Sequence, residues 1–81
     1  EPFDCNSALN LGQQKRGLYW RNCPAGFDAC YGLLEVFGYQ DENWVFQIIS
    51  GISTADASFL GRYMRHSKGA SSAWSEWISL L

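Results

Sequence analysis

Eighty-one residues make one domain or a segment of one, and a chain of that size buries only about 60% of its unfolded surface, so a solitary core is thin. Aromatic residues reach 16% and charged residues only 17%, with six Lys+Arg against eight Asp+Glu for a net charge of -2. That balance excludes a disordered chain, which is poor in rings and rich in charge, and with no basic run longer than Lys15-Arg16 it argues against a nucleic-acid backbone binder.

The chain opens on Glu1 rather than Met, which leads us to expect a processed chain or a segment of a longer one. No signal peptide is legible, and no apolar stretch approaches the roughly 20 residues of a membrane-spanning helix. Three cysteines, Cys5, Cys23 and Cys30, are an odd count. They suit a reducing compartment, or one bridge with a thiol left over. Cys23 and Cys30 flank a turn-rich stretch that a bridge can close, while three small apolar core residues is the simpler reading.

In chain order, Ser7 to Gln14 forms either a short helix or an extended lead-in, being too short to decide. Gly17 to Asn22 is a short aromatic strand, stopped by Cys23-Pro24-Ala25-Gly26. Gly32 to Tyr39 alternates, with Leu33, Glu35, Phe37 and Tyr39 on one face and Leu34 and Val36 on the other. A polar turn, Gln40 to Asn43, leads to a second strand from Trp44 to Ile52. There Trp44, Phe46 and Ile48 oppose Val45, Gln47 and Ile49, and the β-branched and aromatic content favours strand over helix. Two such runs joined by four polar residues predict an antiparallel hairpin.

Ser50 to Ser58 reads as a loop with one helical turn from Thr54. Phe59 to His66 is the next strand, with Phe59, Tyr63 and Arg65 on one face. After the flexible Lys68 to Ser72 turn, Trp74 to Leu81 is a terminal strand, on which Trp74 and Trp77 take opposite faces. The expected fold is all-β, with at most one short helix: a small antiparallel meander or sandwich of four or five strands, spanning residues 1–81 as a single domain. It carries more aromatic surface than a monomer leaves exposed, so self-association is expected.

Catalytic and metal signatures are missing. Cys5, Cys23, Cys30 and His66 lack zinc-ligand spacing, and unrelated cysteines is the stronger reading. No phosphate-binding glycine loop or nucleophile elbow occurs. Asp41 and Glu42 are adjacent and diverge, which does not suit a pair of facing catalytic carboxylates. We therefore expect a non-enzyme without cofactor or metal. The rings can instead pack a core or stack on sugars. Trp44, inside an apolar alternation, is expected in the core. Tyr39, Asp41, Glu42 and Asn43, at a hairpin tip, are the candidate receptor contacts. His66, at a strand end beside Arg65 and Lys68, joins them as a solvated surface residue. Arg65 can lay its guanidinium on one of the terminal indoles and clip the last strand to its neighbour.

The order of these features resembles a known family. Leu9-Asn10 is followed by Gly17-Leu18-Tyr19, then by Gly32-Leu33-Leu34-Glu35-Val36. Tyr63-Met64-Arg65 and Trp74-Ser75-Glu76-Trp77 come near the end. From Ser7 to Leu81 this resembles the knob domains at the distal end of bacteriophage tail fibres and R-type pyocin fibres. Their pattern is LN, G-x-Y, G-x-L-x-V, aromatic-x-R and W-S-x-W. Ala8 stands where an Asp commonly precedes LN, and the segments around Cys23–Cys30, Ser50–Ser58 and Lys68–Ala73 are longer than a minimal knob requires.

The resemblance implies a homotrimeric knob on the virion, assembled in the host bacterial cytoplasm. It implies adsorption to a surface glycan, lipopolysaccharide or an outer-membrane protein. It also implies that Gly17, Tyr19, Arg65, Trp74 and Trp77 define the fold. The competing expectations are a trimerising cap without receptor contact and a free-standing secreted lectin.

Overall fold

The computed structural model describes residues 1–38, 44–67 and 73–81. Six strands lie side by side in sequence order: β1 (Phe3–Asp4), β2 (Gln14–Arg21), β3 (Ala29–Gly38), β4 (Val45–Ile52), β5 (Phe59–His66) and β6 (Ile78–Ser79). β2 to β6 form an antiparallel meander, and β1 adds to β2 in parallel. The all-β expectation holds. The architecture is one sheet rather than two, with two short edge strands beyond the main four. A single 3-10 turn, Cys5–Ser7, stands where the lead-in was left open, and its capping residue is Asp4.

The β3–β4 hairpin has the expected facing. Leu34, Val36, Val45, Gln47 and Ile49 are buried on one side, and Phe37, Phe46 and Ile48 lie on the other. Period-two alternation decides this, because a slip of one residue would turn the whole apolar set outward. Among the described residues no second sheet covers the buried side. It is covered by irregular segments that bring in Cys5 and Ala8 from the N-terminal stretch, Phe27 from the β2–β3 connection, and Trp74 and Trp77 from the approach to β6.

Covering by loops requires large rings to lie close to the sheet, and four strands supply the space. Gly17, Gly32, Gly51 and Gly61 are mutual partners in one row across β2, β3, β4 and β5. The Trp20 indole lies on Gly32, where an added Cβ would come within 2.5 Å of Nε1. Phe27 lies on Gly51, with Cε2 only 2.7 Å from where a Cβ would sit. The rings then meet others edge-on, Trp20 with Phe3 at 5.9 Å and Phe27 with Tyr63 at 5.3 Å.

Four sequence expectations need correction. Trp44 is 56% exposed, because it sits on the outward parity of β4, opposite buried Val45. Phe59 does not share a face with Tyr63 and Arg65. Between the pairs Gly51↔Gly61 and Ile52↔Phe59 the register slips by one residue, so Leu60 is an extra residue on β5. That bulge turns Phe59 outward, opposite Ile52. Finally, the terminal strand is only Ile78–Ser79, preceded by an isolated bridge from Ser67 to Trp74. The segment from Thr54 to Asp56 is a turn rather than a helix, and its neighbour Ala57 has φ +61°.

Two substitutions test this packing by urea unfolding. Gly32→Ala drives a methyl into the Trp20 ring and is expected to destabilise by about 1–3 kcal/mol. Ala57→Gly removes a left-handed strain of roughly 1–2 kcal/mol against a smaller unfolded-state entropy cost, so it should stabilise by about 0.5 kcal/mol.

Candidate functional site: an arginine between two tryptophans

The most elaborate side-chain arrangement surrounds Arg65, which is only 5% exposed on the inward face of β5. Its guanidinium carbon lies 4.1 Å from the Trp74 ring centre and 4.5 Å from that of Trp77. The sequence led us to expect one indole on Arg65 and the other on the opposite face. Both lie on it, because residues 74–77 are not strand and escape its alternation. A partly desolvated cation–π contact contributes up to about 2 kcal/mol, and two faces double the opportunity.

The edge of the guanidinium is held as firmly as its faces. Arg65 Nε donates to Gln47 Oε1 at 2.8 Å, and Nη2 donates to Asn6 Oδ1 at 2.8 Å. Gln47, 0% exposed, donates through Nε2 to the carbonyls of Cys5 at 2.7 Å and Ala8 at 2.9 Å. One buried amide therefore links β4, β5 and the N-terminal turn. Asp4 Oδ1 accepts from the Asn6 backbone N–H and from Asn22 Nδ2. Trp77 Nε1 donates to the Asn22 carbonyl at 3.2 Å, which closes the circuit to the C-terminal segment. Asn22 has φ +56°, a conformation an asparagine tolerates.

Burial draws the Arg65 guanidinium down to about 10, so it is still charged at neutral pH. The hydrogen bond from Asn22 holds the Asp4 carboxyl below its ordinary value. Burial pushes the Cys5 thiol up to about 12 and also raises Cys23 and Cys30. All three are free thiols. In the protonated form they are poor nucleophiles. Among the described residues no group of three or more His, Cys, Asp or Glu is placed to hold a metal ion. Beside the clamp is a shallow hollow of about 330 Å³, lined by Asn6, Asn22, Cys23, Arg65, Glu76 and the two indoles among others.

The sequence candidates are distributed unevenly. Arg65, Trp74 and Trp77 come together in the clamp. Gly17 lies in the glycine row, beside the Trp20 ring. Tyr19 is exposed on β2, and its neighbour Trp20 is the ring that enters the core. His66 is half-buried at the end of β5, with its ring 6.0 Å from Phe46 and Nδ1 3.1 Å from the Ser67 carbonyl oxygen. Tyr39, Asp41, Glu42 and Asn43 lie outside the described residues.

Sequence reasoning missed Asn6, Asn22 and the role of Gln47. Gln47 had a usable signal, since it is a lone amide at an inward position between Val45 and Ile49, and a buried amide requires partners. No family model, curated protein or solved structure matches the chain.

Two measurements probe the clamp. Gln47→Leu strands the Arg65 Nε–H and the Ala8 carbonyl, leaving the Cys5 carbonyl only the Ala8 N–H, and is expected to cost about 3–5 kcal/mol in urea unfolding. Alkaline pH should also destabilise the fold. The unfolded Cys5 thiol ionises near 9.0, while the folded one holds its proton until about 12, so stability is intact below 9 and falls above it, up to about 10, where the lowered Arg65 begins to act in the opposite direction. A melting curve series should show Cys5→Ala flattening that alkaline decline.

Proposed function

We propose that this chain is the distal knob of a bacteriophage tail fibre or a pyocin-like fibre. In this reading it works as a homotrimer at the fibre tip and adsorbs to a bacterial surface glycan, lipopolysaccharide or outer-membrane protein. It acts by adhesion rather than by bond-making chemistry. The observation that carries the proposal is the clamp. The two most specific elements of the knob pattern, aromatic-x-R and W-S-x-W, are far more informative as one interlocking unit than as separate words in a sequence. A fold-holding role for Arg65, Trp74 and Trp77 leaves recognition to the connections, where the chain departs most from a minimal knob.

Tyr39, Asp41, Glu42 and Asn43 are the proposed receptor contacts, with His66 at the neighbouring strand end. Three weak sites on one tip, repeated over several fibres, give firm adsorption without tight single sites. A second reading, a trimerising cap without receptor contact, is favoured by one observation: large apolar side chains such as Tyr31, Ile52 and Phe59 stand exposed together on the outer side of the sheet.

Labelled chain applied to a panel of bacterial strains and immobilised lipopolysaccharides should bind a subset and compete with whole fibres. The triple variant Tyr39→Ala, Asp41→Asn, Asn43→Ala should lose at least tenfold in binding with an unchanged melting temperature. Binding that survives the variant favours another contact surface, and absence of binding by the unaltered chain on every surface rejects the adhesive reading.

A further inference from the structure

The sheet is apolar on both faces, and the described chain buries only one. On the outer side, cross-strand partners form rows: Phe37, Phe46 and His66; then Glu35, Ile48, Met64 and Ile78; then Leu33, Ser50 and Arg62; then Tyr31, Ile52 and Phe59. The Phe37 and Phe46 rings stack at 5.7 Å with an interplanar angle of 11°. Tyr31 is 55% exposed, Ile52 42% and Phe59 57%. Between the last two rows runs a groove of about 680 Å³, lined by Gly17, Gly32 and Gly51 of the glycine row and by Leu18, Tyr31, Leu33, Ile52 and Phe59.

We infer that this outer face is where copies of the chain associate with one another. The inference rests on the self-association in the function proposed above, and assigns it a surface.

The chemistry of the groove favours a protein surface over a sugar. Among the described residues that line it, polar side-chain groups come only from Arg16, Ser50 and the Tyr31 hydroxyl. Most hydroxyls of a glycan seated there would lose water and gain no partner, at a cost of about 1–3 kcal/mol each. An apolar surface of matching shape incurs no such penalty. The size also fits. The two longer extents of the molecule, 39 and 28 Å, bound a face of roughly 1,000 Å², against about 800 Å² per partner in a specific protein interface.

Charge points to a second copy rather than an unrelated protein. Within the apolar field Glu35 makes only a loose contact with Arg62, 3.9 Å with both side chains partly exposed. Arg16 lies on the strand beside it, paired with Leu33. A face that carries both signs among apolar rows is complementary to itself. Glu35 of one copy can accept from Arg16 or Arg62 of the next. Two such faces laid together, or three set around an axis as the sides of a prism, bury the same rows.

Sedimentation of the chain over 1–100 µM tests this, with Ile52→Lys, Phe59→Lys as the disrupting pair and Leu9→Lys, on the covering side, as the control. We expect the unaltered chain and the control to associate, and the pair to weaken association at least tenfold while keeping its β circular dichroism. Hydroxyl-radical labelling of the unaltered chain supplies a second readout that does not depend on the pair keeping its fold. Tyr31 and Phe59 should be protected on concentration and Leu9 should not. Association unaffected by the pair, or without protection of Tyr31 and Phe59, overturns the face while leaving self-association standing. A monomer at 100 µM overturns both.

Discussion

The structure depends on the burial of one positive charge. Arg65 sits in a largely apolar layer, and taking a guanidinium out of water is costly unless both its faces and its edge find partners. Here the faces meet Trp74 and Trp77, and the edge meets Gln47 and Asn6. The partners come from three separate parts of the chain, so solvating the charge correctly requires the N-terminal turn, β4, β5 and the segment before β6 to be in place together. A thin single-sheet domain gains from this a specificity that apolar contacts alone supply poorly. Many apolar arrangements would cover the sheet, whereas one satisfies the arginine.

The glycine row complements the clamp. The clamp fixes the covering segments over one part of the sheet, and the row lets Trp20 and Phe27 lie against the backbone over another. Together they replace the second sheet that a sandwich would have used. The two devices also answer the difficulty of a short chain, since rings packed close against backbone bury a large area per residue with few residues to contribute it.

The strands were legible in the sequence wherever alternation ran long enough to establish its own phase. Gly32 to Tyr39 and Trp44 to Ile52 have that length, and over the described residues their facing followed directly. Phe59 was misread because a bulge resets parity, and nothing local in Phe59-Leu60-Gly61 announces one apart from the glycine. Trp44 was misread because an apolar neighbourhood does not reveal which side is covered. The clamp was half legible: an arginine near an indole is a natural pairing, but treating 74–77 as strand forced the two tryptophans apart. The links through Asn6 and Asn22 were beyond reach, since exposed asparagines acquire roles only from where a distant carbonyl or guanidinium falls.

The circuit through Arg65 also orders events in time. Asn6 lies 59 residues from Arg65 in sequence, and Asn22 lies 55 residues from the Trp77 that it binds. Contacts of such separation form slowly, because the loop must close before the interaction repays it. A nascent chain that has emerged as far as β5 has the charge but not the rings that cover it. The meander can therefore assemble during synthesis, whereas its sealing waits for Trp77. Until Trp74 and Trp77 emerge, the side of the sheet around Arg65 stays open, and their arrival is what completes its cover.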